Sequence, residues 1–171
     1  RLTNETDRAK EVLAKGLELE PGSFDLHFEK GMVHIKTKEH ARAAASFTRA
    51  IQADPKSSEA HYWKGYALLF LKQTDDACQA FARSAVLDPA PGVRRSLQMI
   101  AKYKSDGSIP YYRDILKDAP GHAWAHAYLA YYLSGSKAKD ADGARKVMKA
   151  PTGLAPQGVG IAAAPAVDQE D

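Results

Sequence analysis

Three features that define many proteins are scarce or missing in this sequence. Its 171 residues include a single cysteine, Cys78, so no internal disulfide can hold the fold together. No apolar run approaches the roughly 18–20 residues that cross a bilayer, and we therefore expect no membrane span. The net charge of +3 is too small to indicate nucleic-acid binding by itself. The composition is nevertheless 44% hydrophobic, which is enough to bury a core.

Residue sets that support catalysis are missing as well. The sequence contains no recognisable nucleophile with an adjacent base, no glycine-rich phosphate loop and no pair of carboxylates that can be assigned to a cleft. We therefore predict that the chain is not an enzyme and that it uses no cofactor.

What is present is an internal repeat. Pro21, Pro55 and Pro89 are equally spaced along the chain. The residues between them recur in step: Phe28 with Tyr62, Gly31 with Gly65, Ala43 with Ala77, Phe47 with Phe81, and Asp54 with Asp88. A fixed period of about 34 residues predicts a solenoid of stacked units. Since residue 1 is not Met and falls inside a repeat, we expect the chain to be part of a longer protein.

The recurring glycines indicate how the repeats pack. Gly31 and Gly65 stand in helical apolar patterns, where glycine costs about 1 kcal/mol relative to alanine. Close approach of two helices is the compensation that we expect. The partners in that approach should be small residues, with an aromatic filling the space where the helices diverge. These are Ala43, Ala50 and Phe47 in the first repeat and Ala77, Ser84 and Phe81 in the second.

Helical periodicity, capping residues and the terminating prolines together give a helix map. We predict helices near 5–19, 24–37, 40–53, 58–72 and 75–87, with Ser23, Ser57 and Thr74 as N-caps. The short connections favour antiparallel helix pairs, and no alternating apolar run predicts a strand.

The two repeats resemble tetratricopeptide-repeat (TPR) units. In the second repeat Trp63, Gly65, Tyr66, Ala77 and Phe81 stand where the TPR pattern has aromatic and small residues, and Asp88-Pro89 ends the unit. The resemblance implies an all-α superhelix that binds proteins or peptides along the first helices of its pairs, which line the concave surface.

The repeat pattern also predicts the domain organisation. We assign 1–150 to one TPR-like helical domain and 151–171 to an extended Pro/Gly/Ala-rich tail. The domain divides into a half repeat 1–22, full repeats 24–57 and 58–91, and divergent repeats 92–120 and 121–150. In the divergent part Met99 takes the place of the glycine, Asp106-Gly107 marks a turn, and helices are expected at 123–134 and 140–149.

Helical spacing places apolar side chains along one face of each first helix. A partner peptide could bury its own apolar side chains against that row. The same residues could equally pack helix against helix, and the sequence leaves both interpretations open. The predicted row consists of Phe28, Met32, Ile35, Tyr62, Tyr66, Leu69, Ser96 and Ile100.

The histidines recur with the repeat, which favours packing over a shared metal site. His27 and His61 are one repeat period apart, and His126 holds the matching place in the last repeat. His122 and His126 form an i, i+4 pair but have no third ligand within reach along the chain. We predict no metal site.

We conclude from the sequence that the chain is a protein-interaction scaffold or adaptor. The alternative is a regulatory or substrate-recruiting module of a larger enzyme. A clamp for acidic chaperone tails is not expected, because Phe28, Met32 and Trp63 stand where its basic residues would be. RNA binding is disfavoured by the apolar row. Self-association through the 151–171 tail is a further expectation. The cytoplasm and the periplasm both remain open as compartments.

Overall fold

The computed structural model describes residues 2–88 and 94–135. Throughout these residues the regular secondary structure is helical, which confirms the all-α prediction. The predicted helix 140–149 and the tail 151–171 lie outside the described residues. The elements are α1 (Leu2–Leu19), α2 (Phe24–Lys36), α3 (His40–Ala53), α4 (Ser58–Phe70), α5 (Thr74–Leu87), α6 (Arg95–Lys104), a 3-10 turn (Ser105–Ser108), α7 (Ile109–Asp118) and α8 (Ala123–Gly135).

The observed helix ends correct the sequence-based map at a few residues. Ser57 caps α4 as predicted, because its hydroxyl accepts a hydrogen bond from the Ala60 amide at 3.2 Å. Ser23 occupies the N-cap position of α2, but its side chain makes no capping hydrogen bond. The prediction for Thr74 was wrong, since this residue is already the first residue of α5.

The turns between paired helices explain why α2 and α4 end earlier than predicted. After α2, the Lys38 amide donates to Ile35 O and the Glu39 amide to His34 O. This hydrogen-bond pair is a Schellman motif, and it requires a left-handed residue just past the helix. Lys38 supplies it with φ of 57°, and Lys72 does the same after α4 with φ of 59°. Both helices therefore stop before these lysines.

Close contact between glycine and phenylalanine joins each helix pair, as predicted. A Cβ atom built on Gly31 would lie 2.6 Å from Cε1 of Phe47, and one on Gly65 would lie 2.9 Å from Cε1 of Phe81. Both rings are fully buried, as are Ala43, Ala50 and Ala77. No larger residue fits at either glycine unless the ring opposite moves.

The chain separates into two compact units, divided between Leu87 and Asp88. In the first unit α1 packs on α2, the pairs α2–α3 and α4–α5 form hairpins, and α3 packs against α4. The hairpins thus stack directly on each other in chain order. Such stacking is the solenoid arrangement that the repeat period predicts.

The second unit is built around a buried tyrosine. Tyr112 of α7 is fully buried and its hydroxyl donates to Leu97 O of α6 at 3.1 Å. Its ring packs near Tyr128 and Tyr132 of α8, with centroid distances of 5.6 and 6.0 Å. Pro110 lies in the first turn of α7. Tyr112 therefore links α6, α7 and α8.

The recurring histidines tie first helices to the loops before them. Nε2 of His27, His61 and His126 donates to the carbonyl oxygen of the proline six residues earlier, at 2.8, 3.3 and 2.7 Å. His122 instead caps α8, because its Nδ1 accepts from the Ala125 amide at 3.3 Å. The bonds of His27, His61 and His126 give the recurring histidines a structural role. Within the described ranges, no group of three or more metal-ligating side chains could hold an ion.

Candidate peptide-binding face

Six residues of the predicted row lie on the first helices of the two stacked hairpins. Each is half-buried, so each takes part in packing and still presents surface to solvent. They are Phe28, Met32 and Ile35 on α2 and Tyr62, Tyr66 and Leu69 on α4. We call these six residues the apolar row.

The last two residues of the predicted row have no surface for a partner. Ser96 is 3% exposed and Ile100 is 0% exposed, and both belong to α6 in the second unit. The helical spacing predicted that the two residues share one face of α6, but that face is buried in the core of the second unit. We therefore leave Ser96 and Ile100 out of the apolar row.

On α2 the apolar row is supported by ring contacts. Phe28 packs edge-on against Phe47 with centroids 5.5 Å apart, and Phe24 stacks on Phe28 at 5.6 Å. Phe47 is the ring that also fills the space opposite Gly31. Phe28 therefore packs on the same ring that sets the spacing of the helix pair.

On α4 the aromatic side chains form a continuous series from the core to the surface. Tyr62 contacts the buried Phe81 at 5.4 Å, and Trp63 contacts Tyr62 at 5.6 Å. Tyr66 continues the series from Trp63 at 5.4 Å, and Phe70 follows at 5.1 Å. Phe70 is 54% exposed, an unusual exposure for so large an apolar side chain.

Two aromatic side chains that extend the apolar row, Phe24 next to Phe28 and Phe70 next to Tyr66, were missed from the sequence. Phe24 lies four residues before Phe28, and Phe70 lies four residues after Tyr66. Side chains four residues apart are neighbours on a helix, so this spacing was the available signal. Phe70 also stacks on His40 at the start of α3, with centroids 4.2 Å apart. That tertiary contact could not be read from the sequence.

The comparisons with known proteins agree with this architecture. Two family models described as tetratricopeptide repeat match the sequence, one over residues 3–58 and the other over residues 46–79. Residues 3–79 are therefore built of tetratricopeptide repeats. The search of curated proteins gives no match. Among the helices of residues 2–88 and 94–135, none is both long enough and apolar enough to cross a membrane.

Solved TPR structures share the fold at low sequence identity. One crystal structure of MamA is 21% identical, covers 86% of each chain and gives a TM-score of 0.56. A second structure of MamA gives a TM-score of 0.52 at 21% identity, covering 87% of this chain and 82% of that one. YrrB, described as a TPR protein with an unusual peptide-binding site, gives 0.55 at 21% identity, covering 85% of this chain and 76% of its own.

Proposed function

We propose that this TPR array is a protein-interaction scaffold that binds a partner peptide along the apolar row. The observation that carries the proposal is the aromatic series on α4, which begins in the core at Phe81 and ends at the exposed Phe70. Anchoring at one end keeps the rings rigid, so that a peptide binding there orders few protein side chains.

The chemistry of the row favours a peptide with aliphatic or aromatic side chains. Phe28, Met32, Tyr66 and their neighbours offer rings and a thioether, and such groups are enriched at the energetic centres of protein interfaces. The peptide-binding site in the description of YrrB belongs to that protein, and it supports the same class of ligand here. The alternative prediction is that the array works as a regulatory or substrate-recruiting module of a larger enzyme.

Selection from a displayed peptide library on the intact chain would test this proposal. Selected peptides should bind with an affinity that falls about tenfold or more in the double variant Tyr66→Ala/Phe70→Ala, because hot-spot rings typically contribute about 2 kcal/mol or more. Fluorescence anisotropy with labelled peptides measures the change. These two positions are preferable to Tyr62, whose ring contacts the core.

Tyr131→Ala provides the matched control, since Tyr131 is a 41% exposed aromatic on the surface of the second unit. Its loss should leave the peptide affinity unchanged. If the selected peptides bind the Tyr66/Phe70 variant as tightly as the original chain, while its helical circular dichroism is intact, the apolar row is not the binding face.

A further inference from the structure

A basic cleft lies between the two helices of the first hairpin. Its volume is about 390 Å³, within the range of roughly 300–1,000 Å³ that is usual for ligand sites. The lining residues come from α2 and α3 and include three cations and no carboxylate: His27, Lys30, His34, Arg42, Ala45, Ser46 and Arg49. On α2 these residues occupy a different face from Phe28, Met32 and Ile35, given the helical period of about 3.6 residues per turn.

Two of the three cations have no ion-pair partner in the described part of the chain. Arg42 binds Glu39, with 2.6 Å between Nη1 and Oε2, whereas neither Lys30 nor Arg49 contacts a carboxylate within residues 2–88 and 94–135. Glu39 forms ion pairs with both Lys10 and Arg42, and their hydrogen bonds lower its pKa to about 2. The cleft therefore keeps an excess of positive charge.

The histidines of the cleft contribute polar atoms to its floor. His27 uses Nε2 to bond the Pro21 carbonyl. Burial lowers the pKa of His34; Glu39 opposes this, and the positive charges of Lys10, Lys30 and Arg42 add to it. The binding charge of the cleft rests on Lys30, Arg42 and Arg49.

The second hairpin carries less positive charge at the positions that match this cleft. Lys30 and Arg49 correspond to Lys64 and Arg83, each one period further along the chain. By the same correspondence, Arg42 is replaced by Asp76 and His34 by Leu68. The matching set of the second hairpin thus carries two cations and one carboxylate, against three cations in the first. Lys30 and Arg49 follow the repeat, whereas Arg42 is specific to the first hairpin, which makes the first set the more positive of the two.

We propose that the cleft between α2 and α3 binds an acidic peptide segment, with Lys30 and Arg49 holding its anionic side chains and Arg42 at the rim. Arginine and lysine bind carboxylate and phosphate groups through charge-assisted hydrogen bonds, and arginine can do so with two parallel bonds. Nucleic acid is the less suitable ligand, because its binding rests on several phosphate contacts along an extended surface. The inference is independent of the apolar row.

Fluorescence anisotropy on the intact chain tests the proposal with labelled hexapeptides of glutamate, of phosphoserine alternating with glycine, and of glutamine. The glutamate or phosphoserine peptide should bind at low salt and the glutamine peptide should not. The tighter of the first two identifies the anionic group. In Lys30→Glu/Arg49→Glu the affinity should fall about tenfold or more, because two attractive contacts become repulsive.

The matched control is Lys64→Glu/Arg83→Glu, which changes the net charge equally at the corresponding positions of the second hairpin. It should retain most of the affinity, provided that thermal melts show both double variants to be folded. An equal loss in the control would overturn the proposal, since binding would then depend on total charge. Equal binding of the glutamine peptide, or tighter binding of a single-stranded oligouridine RNA, would also overturn it. Tyr66→Ala/Phe70→Ala should bind the acidic peptide normally, which separates this site from the apolar row.

Discussion

Within the two units, the helices pack against each other in different ways. In the first unit Gly31 and Gly65 let paired helices approach closely, and a phenylalanine fills the space opposite each glycine. In the second unit Met99 replaces the glycine and stays half-buried, and Tyr112 fills the core while bonding to the backbone of α6. One unit removes a side chain so that helices can touch, and the other inserts a large side chain between them.

This difference shows why one unit repeats and the other does not. A glycine–phenylalanine contact involves only two positions at a fixed spacing, so it can recur once in every repeat. The Tyr112 core instead depends on α6, α7 and α8 together. The chain contains two tryptophans, Trp63 in the first unit and Trp124 in the second, so the variants Trp124→Phe and Trp63→Phe leave one fluorescent probe per unit.

The largest effect is expected from truncating the core of the second unit. Tyr112→Ala should lower the free energy of unfolding of that unit by about 3–5 kcal/mol, because a fully buried ring leaves a cavity. Tyr112→Phe keeps the ring and should cost only about 1 kcal/mol, the value of its hydrogen bond to Leu97. Urea titrations followed by Trp124 fluorescence measure both. Equal costs for the two variants would show that filling the space is unimportant.

A smaller effect is expected from filling a glycine position of the first unit. Gly31→Ala should cost about 1–2 kcal/mol, because overpacking against Phe47 exceeds the gain in helix propensity. Urea titration followed by Trp63 fluorescence reports the change. Gly16→Ala is the control: its Cβ would approach only the flexible side chain of Leu26, at 3.1 Å, so it should be neutral or slightly stabilising. A stabilised Gly31→Ala variant would contradict the close-contact argument.

The smallest expected effect is a change of stability with pH. It should appear at acid pH in the first unit and at alkaline pH in the second. Burial lowers the pKa values of His34 and His61 below 6.5, so the first unit should lose stability as pH falls from 6.5 through their folded values. Burial raises the pKa of Tyr128 above 10.0, so the second unit should lose stability as pH rises from 10.0.

Urea midpoints measured through Trp63 and Trp124 across the pH range would test this contrast. His61→Gln should reduce the fall of the urea midpoint of the first unit at acid pH. Tyr128→Phe should reduce the fall of the midpoint of the second unit at alkaline pH. If the two probes report the same pH dependence and neither substitution changes it, burial of these groups does not control the response.

The regular part of the fold could be predicted from the sequence because its determinants are local or periodic. Gly31, Phe47 and the constant repeat spacing predicted the helix pairs, and the cap at Ser57 was visible as a serine before a helical pattern. Ser96 and Ile100 show where this reasoning stops. Their spacing predicted a shared face, but whether that face meets solvent or the core of the second unit depends on contacts between distant residues.

The candidate sites were predictable to different extents. One face of a helix can be read from spacing alone, which is how the apolar row was found. The basic cleft could not be found in this way, because Lys30 and Arg49 belong to different helices and each is an ordinary surface cation by itself. Only the antiparallel pairing of α2 with α3 brings them to one cavity.

The left-handed lysines at 38 and 72 have a consequence for the evolution and engineering of this array. A non-glycine residue in this conformation costs roughly 1–2 kcal/mol, and the sequence accepts that cost at both turns. Substitutions that remove this cost should therefore stabilise the array, and neither lysine belongs to the residues of the two proposed ligand sites. The stability gained could offset destabilising changes that are made elsewhere to alter what the array recognises.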